Sequence, residues 1–120
     1  QRAVADRRGG LKSALLDQQR VAGLGNELVD ELLWRSALHP RRAAASLSTE
    51  EVDVLHRQLR QLLRRAIRAG HVPAGPTWLT GQRDERSPTC PHCGVPLERA
   101  QVGGRTTLWC PREQPDPQAD

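Results

Sequence analysis

At 120 residues the chain makes one ordinary domain or two small ones, and it buries about two thirds of its surface at most. Only 37% of it is apolar, with no Phe, Tyr or Met and three Trp, so the core must be aliphatic, a composition that favours helices. The net charge of +4 suits a polyanionic partner without being diagnostic, and nearly all the positive charge is arginine, Lys12 being the single lysine.

No apolar run approaches the length of a membrane span, and no signal-like segment precedes the first helix, so a cytoplasmic protein with no membrane partner is expected. Nothing demands more than a monomer. Three cysteines, two of them as Cys-x-x-Cys, fit a metal site in a reducing compartment better than a disulfide framework.

Residues 1–10 end in Gly9-Gly10 and read as a linker or a truncated end. A helix is predicted from about Leu11 to Gln19, with Leu11, Ala14 and Leu15 as its apolar stripe. The turn Gly23-Leu24-Gly25 then runs into Asn26, which reads as the N-cap of a second helix, about Glu27 to Ala37. Glycines expose backbone N–H groups, and a helix N-terminus favours negative charge, so this is a place to hold an anion.

The second helix is apolar on more than one side. Leu28, Val29, Leu32 and Leu33 share a face, while Trp34 points away with Leu38 one turn on, and His39-Pro40 is expected to end it. Ser48 with Glu51 three residues later is a capping-box signature, opening a long helix over about Thr49 to Ala69 that Gly70 stops. Its core stripe is Val52, Leu55, Leu59, Leu62, Leu63, Ala66 and Ile67. Arg57, Arg60, Arg64 and Arg68 line the other face, which reads as the solvated side.

Residues 71–89, rich in Pro and Gly, read as a connecting loop. In the tail, Val95, Leu97, Val102, Thr107 and Trp109 alternate around Gly103-Gly104, a β-hairpin with ends pinned by metal. Residues 115–120 read as a disordered tail.

Two blocks of this sequence resemble one known family. Leu11-Lys12, Leu15-Leu16-Asp17-Gln18, Val21 to Asn26, Asp30 to Arg35 and His39-Pro40 resemble the helix-two-turns-helix module of the formamidopyrimidine-DNA glycosylase and endonuclease VIII family. Cys90-Pro91-His92-Cys93-Gly94 through Gly104-Arg105-Thr106-Thr107 to Trp109-Cys110-Pro111 resembles that family's terminal zinc finger. The resemblance covers roughly residues 10–114. It implies a mainly α fold, a helix-two-turns-helix bundle of three to four helices over 11–70 followed by a zinc-finger β-hairpin over 90–114.

It further implies the damaged-DNA-binding half of a bacterial base-excision-repair glycosylase with abasic-site lyase activity, acting at the nucleoid. Asn26, Gly25, Lys12 and Arg105 would grip the phosphates of double-stranded DNA around a flipped-out base. Family members use an N-terminal proline amine and a glutamate in an N-terminal β-rich domain. This chain opens Gln1-Arg2, so no catalytic residue is assigned and the chain alone is expected to be inactive, that domain being its missing partner. Alternatives are a free-standing DNA-binding remnant and a helix-two-turns-helix RNA-binding module.

A four-cysteine finger reads Cys-x-x-Cys, about 16 residues, Cys-x-x-Cys, but here the fourth position is Glu113. A glutamate oxygen can ligate zinc, so Cys90, Cys93, Cys110 and Glu113 are the expected ligands of a structural Zn2+. His92 is the poorer candidate, lying between two ligands. Where Glu113 does not ligate, the zinc is weakened or lost.

Overall fold

A computed structural model describes residues 10–19 and 25–116. Residues 1–9 of the linker expected at 1–10, residues 23–24 of the expected glycine turn and residues 117–120 of the tail expected at 115–120 lie outside the described residues. Among the described residues, three α-helices, α1 (Leu11–Gln19), α2 (Gly25–Arg35) and α3 (Thr49–Ala69), precede a two-stranded hairpin of β1 (Glu98–Val102) and β2 (Arg105–Trp109). Short 3-10 turns at Ala44–Ser46 and Leu79–Gln82 lie between them.

The first N–H groups of a helix lack partners inside it. In α1 the later chain supplies them: Leu11 N donates to Arg42 O at 2.7 Å and Lys12 N to Pro40 O at 3.3 Å. The capping box of α3 is complete, with Glu51 N donating to Ser48 Oγ at 3.1 Å and Ser48 N to Glu51 Oε1 at 2.9 Å. Arg42 clamps the same carboxylate at 2.8 and 2.9 Å, and Gly70 closes the helix in the left-handed conformation.

Helix α2 sits two residues earlier than its sequence suggests. It ends at Arg35, before Pro40 can act, because Ala37 takes a left-handed φ of 58° and Leu38 N donates back to Leu33 O at 3.0 Å. That turn redirects Leu38 into the helical core, away from Trp34. Asn26 lies inside the first turn of α2 and is not its N-cap.

Two apolar clusters result. One gathers Leu11, Leu15, Leu28, Leu32, Leu55 and Leu62 among the helices; the other packs Trp34 of α2 against Leu79, Leu97, Leu108 and the cysteines. Helix α2 is apolar on two sides because it serves both. Ile67, expected in the core stripe, is 74% exposed: the buried row is Leu55, Leu62 and Ala66, and one further residue turns the side chain about 100° away from it.

The hairpin follows its glycines. Val102 pairs with Arg105 across Gly103-Gly104, whose φ values of 60° and 79° belong to a tight two-residue turn. Alternation fails in β2, where Thr107, Leu108 and Trp109 are all buried. Thr107 meets Lys12, Leu108 enters the finger core, and Trp109 packs edge-on to His39 at 5.2 Å. The segment 71–89 is more than a connector, since Val72 and Trp78 join the helical core and Leu79 the finger core.

Candidate nucleic-acid interface and metal centre

Asp30 and Glu31 are adjacent, almost fully buried carboxylates on α2. A buried charge is costly unless it is paired and hydrogen-bonded, and both are. Asp30 receives Lys12 Nζ at 2.8 Å, Arg83 Nη1 at 2.7 Å and Leu108 N at 3.2 Å. Glu31 receives Leu79 N at 3.1 Å, Thr80 N at 3.0 Å, Thr80 Oγ1 at 2.9 Å and Arg35 Nε at 3.3 Å. One carboxylate thus fastens the hairpin to the helices, and the other fastens the 3-10 turn at Leu79.

This framework brings the sequence-predicted residues to one place. Thr106 O, next to Arg105, accepts from Asn26 Nδ2 at 2.9 Å, Arg83 Nη2 at 3.2 Å and Lys12 Nζ at 3.4 Å. A carbonyl oxygen has two lone pairs, so three donors are one more than it can fully satisfy. Asn26 Oδ1 is buried without a hydrogen-bond partner, so this amide is only half engaged. Arg105 is exposed at the hairpin tip, and Gly25 opens α2 with φ 39°. The tip presses on α1: a Cβ on Gly103 would stand 2.6 Å from Ser13 Oγ.

Lys12, expected at a phosphate, lies inside this framework. Its side chain is fully buried; the ammonium is ion-paired with Asp30 Oδ1 at 2.8 Å and donates to Thr107 Oγ1 at 2.6 Å and Thr106 O at 3.4 Å. Burial lowers its pKa against the opposing pull of Asp30, and Arg83 and Arg105 lower it further. Sequence reasoning missed Arg83, Thr107 and the structural use of Asp30 and Glu31. An acidic pair set between Val29 and Leu32 on an apolar helix was the available signal.

The metal centre is built from two similar knuckles. Gly94 N donates to Cys90 O at 2.9 Å, and Gln114 N to Cys110 O at 2.8 Å, which sets Glu113 where Cys93 stands in the first knuckle. The sulfurs of Cys90, Cys93 and Cys110 lie within 4.8 Å of one another, that of Cys93 being 3.6 Å from that of Cys110. Tetrahedral zinc with Zn–S of about 2.3 Å needs sulfurs roughly 3.8 Å apart, so three thiolates fit the ion.

Burial pushes the Cys90 thiol up, but the backbone of Cys93 and His92 and the Trp34 indole outweigh it and hold Cys90 below its ordinary value. Burial pushes Cys110 up to about 11. The Glu113 carboxylate stands outside the three-sulfur group. Its Oε1 is 3.0 Å from His92 Nδ1, while its backbone N–H donates to Cys110 Sγ at 3.3 Å. His92 in turn stacks on Trp34 at 4.2 Å. Gln114, fully buried, accepts from Cys110 N at 2.8 Å and donates to Leu38 O at 3.0 Å, tying the second knuckle to the helices.

Helices that grip a three-thiol hairpin through buried carboxylates define a helix-two-turns-helix domain joined to a zinc finger. Residues 1–74 match the formamidopyrimidine-DNA glycosylase H2TH domain, and residues 87–112 match the zinc finger found in FPG and IleRS. The chain belongs to the formamidopyrimidine-DNA glycosylase family, and its Cys90, Cys93 and Cys110 form a cluster able to bind zinc.

Among its relatives, the formamidopyrimidine-DNA glycosylase of Shouchella clausii (strain KSM-K16) is 38% identical over 98% of this chain and 46% of its own length. That of Thermosynechococcus vestitus is 39% identical over 93% of this chain and 43% of its own length. Lactococcus lactis Fpg, solved in complex with DNA containing an abasic site, superimposes with a TM-score of 0.79 at 30% identity, over 94% of this chain and 45% of that one. MutM, solved with DNA containing carbocyclic 8-oxo-G, gives 0.78 at 30% identity over the same shares. This chain therefore spans less than half the length of these relatives. Among the described residues, no helix is long and apolar enough to cross a membrane.

Proposed function

We propose that this chain is the damaged-DNA-binding half of a bacterial base-excision-repair glycosylase and abasic-site lyase, acting at the nucleoid. It would clamp the backbone of double-stranded DNA around a flipped-out lesion, with chemistry supplied by an N-terminal domain like that of its family. The observation that carries this reading is the oversupplied Thr106 carbonyl beside the exposed Arg105. One of three donors there can turn to a phosphate oxygen at little cost, and Asn26, part-exposed and carrying no charge to neutralise, is the donor best placed to leave.

Arg105 offers a guanidinium fork to the same strand, and the opening turn of α2 at Gly25 adds N–H groups. Lys12 acts as a positioning residue. It donates to Thr106 and Thr107 while ion-paired with Asp30, and so holds the strand that carries Arg105. Cys90, Cys93 and Cys110 hold zinc, and Glu113 takes the fourth corner by releasing His92. The metal supplies structure, fixing the hairpin on the helices.

The test compares the affinity of the zinc-loaded chain for a duplex bearing one abasic-site analogue with that for the intact duplex at one salt concentration. Tighter binding to the damaged duplex is expected, because a site without its base bends and opens at lower cost. Equal affinity would reduce the protein to a general nucleic-acid binder.

A further inference from the structure

A pocket of about 390 Å3 opens where the C-terminal end of α2 meets the C-terminal half of α3, and its polar wall is Arg35, Gln58, Gln61, Arg64, Arg65 and Arg68. Residues 58, 61, 65 and 68 recur at helical spacing and share one face of α3. No Asp or Glu occurs anywhere from Val54 to Arg83. Arg35 is partly neutralised by Glu31, but among the described residues none of Arg64, Arg65 and Arg68 forms an ion pair.

The arginines are not all free to drift. The Arg35 guanidinium carbon lies 4.3 Å from the centroid of the Trp78 ring, and that of Arg65 lies 5.6 Å from the same ring. Two guanidiniums stacked on one indole are held in place and brought together, an arrangement that an anion between them stabilises. A merely solvated helix face would spread its cations. The dipole at the end of α3 favours Arg68, but it does not account for Arg35 arriving from another helix or for glutamines set among the cations.

We infer that this pocket is a second site for nucleic-acid backbone, separate from the proposed clamp. Arg64, Arg65 and Arg68 present forks to phosphate oxygens, and Gln58 and Gln61 bond the sugar and ester oxygens between them. Asn26 and Arg35 stand at opposite ends of α2, about 14 Å apart along its axis, so the two sites do not share one phosphate. The uncharged amides interleaved with the cations suit a backbone whose charges are spaced by neutral oxygens better than a run of carboxylates. The inference rests on the proposed function only for the choice of nucleic acid as the polyanion.

The experiment follows the salt dependence of binding to a duplex of about 30 base pairs carrying one abasic-site analogue, using the zinc-loaded full chain. Arg64→Gln/Arg68→Gln replaces two exposed residues with a good helix former, and far-UV circular dichroism checks the fold. The slope of log K against log salt is expected to become shallower by about 1.8, at about 0.9 for each lost phosphate contact. Arg57→Gln/Arg60→Gln, on exposed positions of α3 outside the pocket, is expected to leave it unchanged.

An unchanged slope in the first double variant overturns the pocket site, whatever Arg105→Ala does. An equal drop in both double variants also overturns it, in favour of diffuse charge. A drop confined to the pocket variant supports the site even where Arg105→Ala has no effect, and that combination removes the clamp alone.

Discussion

The helical and finger parts of this molecule are held together by different physics. Leu11, Leu15, Leu28, Leu32, Leu55 and Leu62 make an aliphatic cluster that buries its own surface and needs no polar help. The finger has Trp34, Leu79, Leu97 and Leu108, with three thiols where further aliphatic residues would otherwise be required. It is fastened by Asp30, Gln114 and the metal site, so its position depends on a few polar bonds across long sequence separations. A small tail can thus present an arginine at a fixed place only by borrowing rigidity from α2.

Metal removal should separate the two parts most strongly. Structural zinc in finger peptides is worth about 10–16 kcal/mol at neutral pH. Chelation is expected to abolish the near-UV dichroism of Trp34 and Trp109 while the far-UV helical signal persists. Simultaneous loss of both signals would mean that the helical cluster does not stand by itself.

The next largest effect attacks the fastening instead. Asp30→Ala leaves Lys12 buried without its carboxylate, a loss of about 3–5 kcal/mol in urea unfolding. A change below 1 kcal/mol would show that Thr107 and solvent satisfy Lys12 unaided.

Glu113→Cys acts on the metal itself and is expected to tighten zinc binding at least tenfold, about 1.4 kcal/mol, in chelator competition. An unaltered affinity would take residue 113 out of the coordination shell. On the helical side, Ala37→Gly relieves the left-handed φ of 58° and should raise stability by about 1 kcal/mol, with no effect on metal affinity. A destabilised Ala37→Gly would mean that the turn carries no strain.

Much of the fold was legible because its signals are local. Ser48 and Glu51 wrote the start of α3, Gly70 its end, and Gly103-Gly104 the hairpin turn, each readable within a few residues. The end of α2 was misplaced because Pro40 is the visible stop, whereas an alanine in the left-handed region leaves no mark in the sequence. At the site, the cysteines declared themselves by spacing. Lys12 did not disclose that it is buried, because its partners Asp30, Thr106 and Thr107 are distant in the chain. The same distance concealed Arg83 and Gln114.

The measurement that bears most directly on the clamp is the salt dependence of abasic-duplex binding by Arg105→Ala. Arg105 is exposed, so the substitution leaves both clusters intact, and the slope is expected to become shallower by about 0.9, one phosphate contact. An unchanged slope in the folded, zinc-loaded variant would take the hairpin tip out of the DNA interface and contradict the clamp.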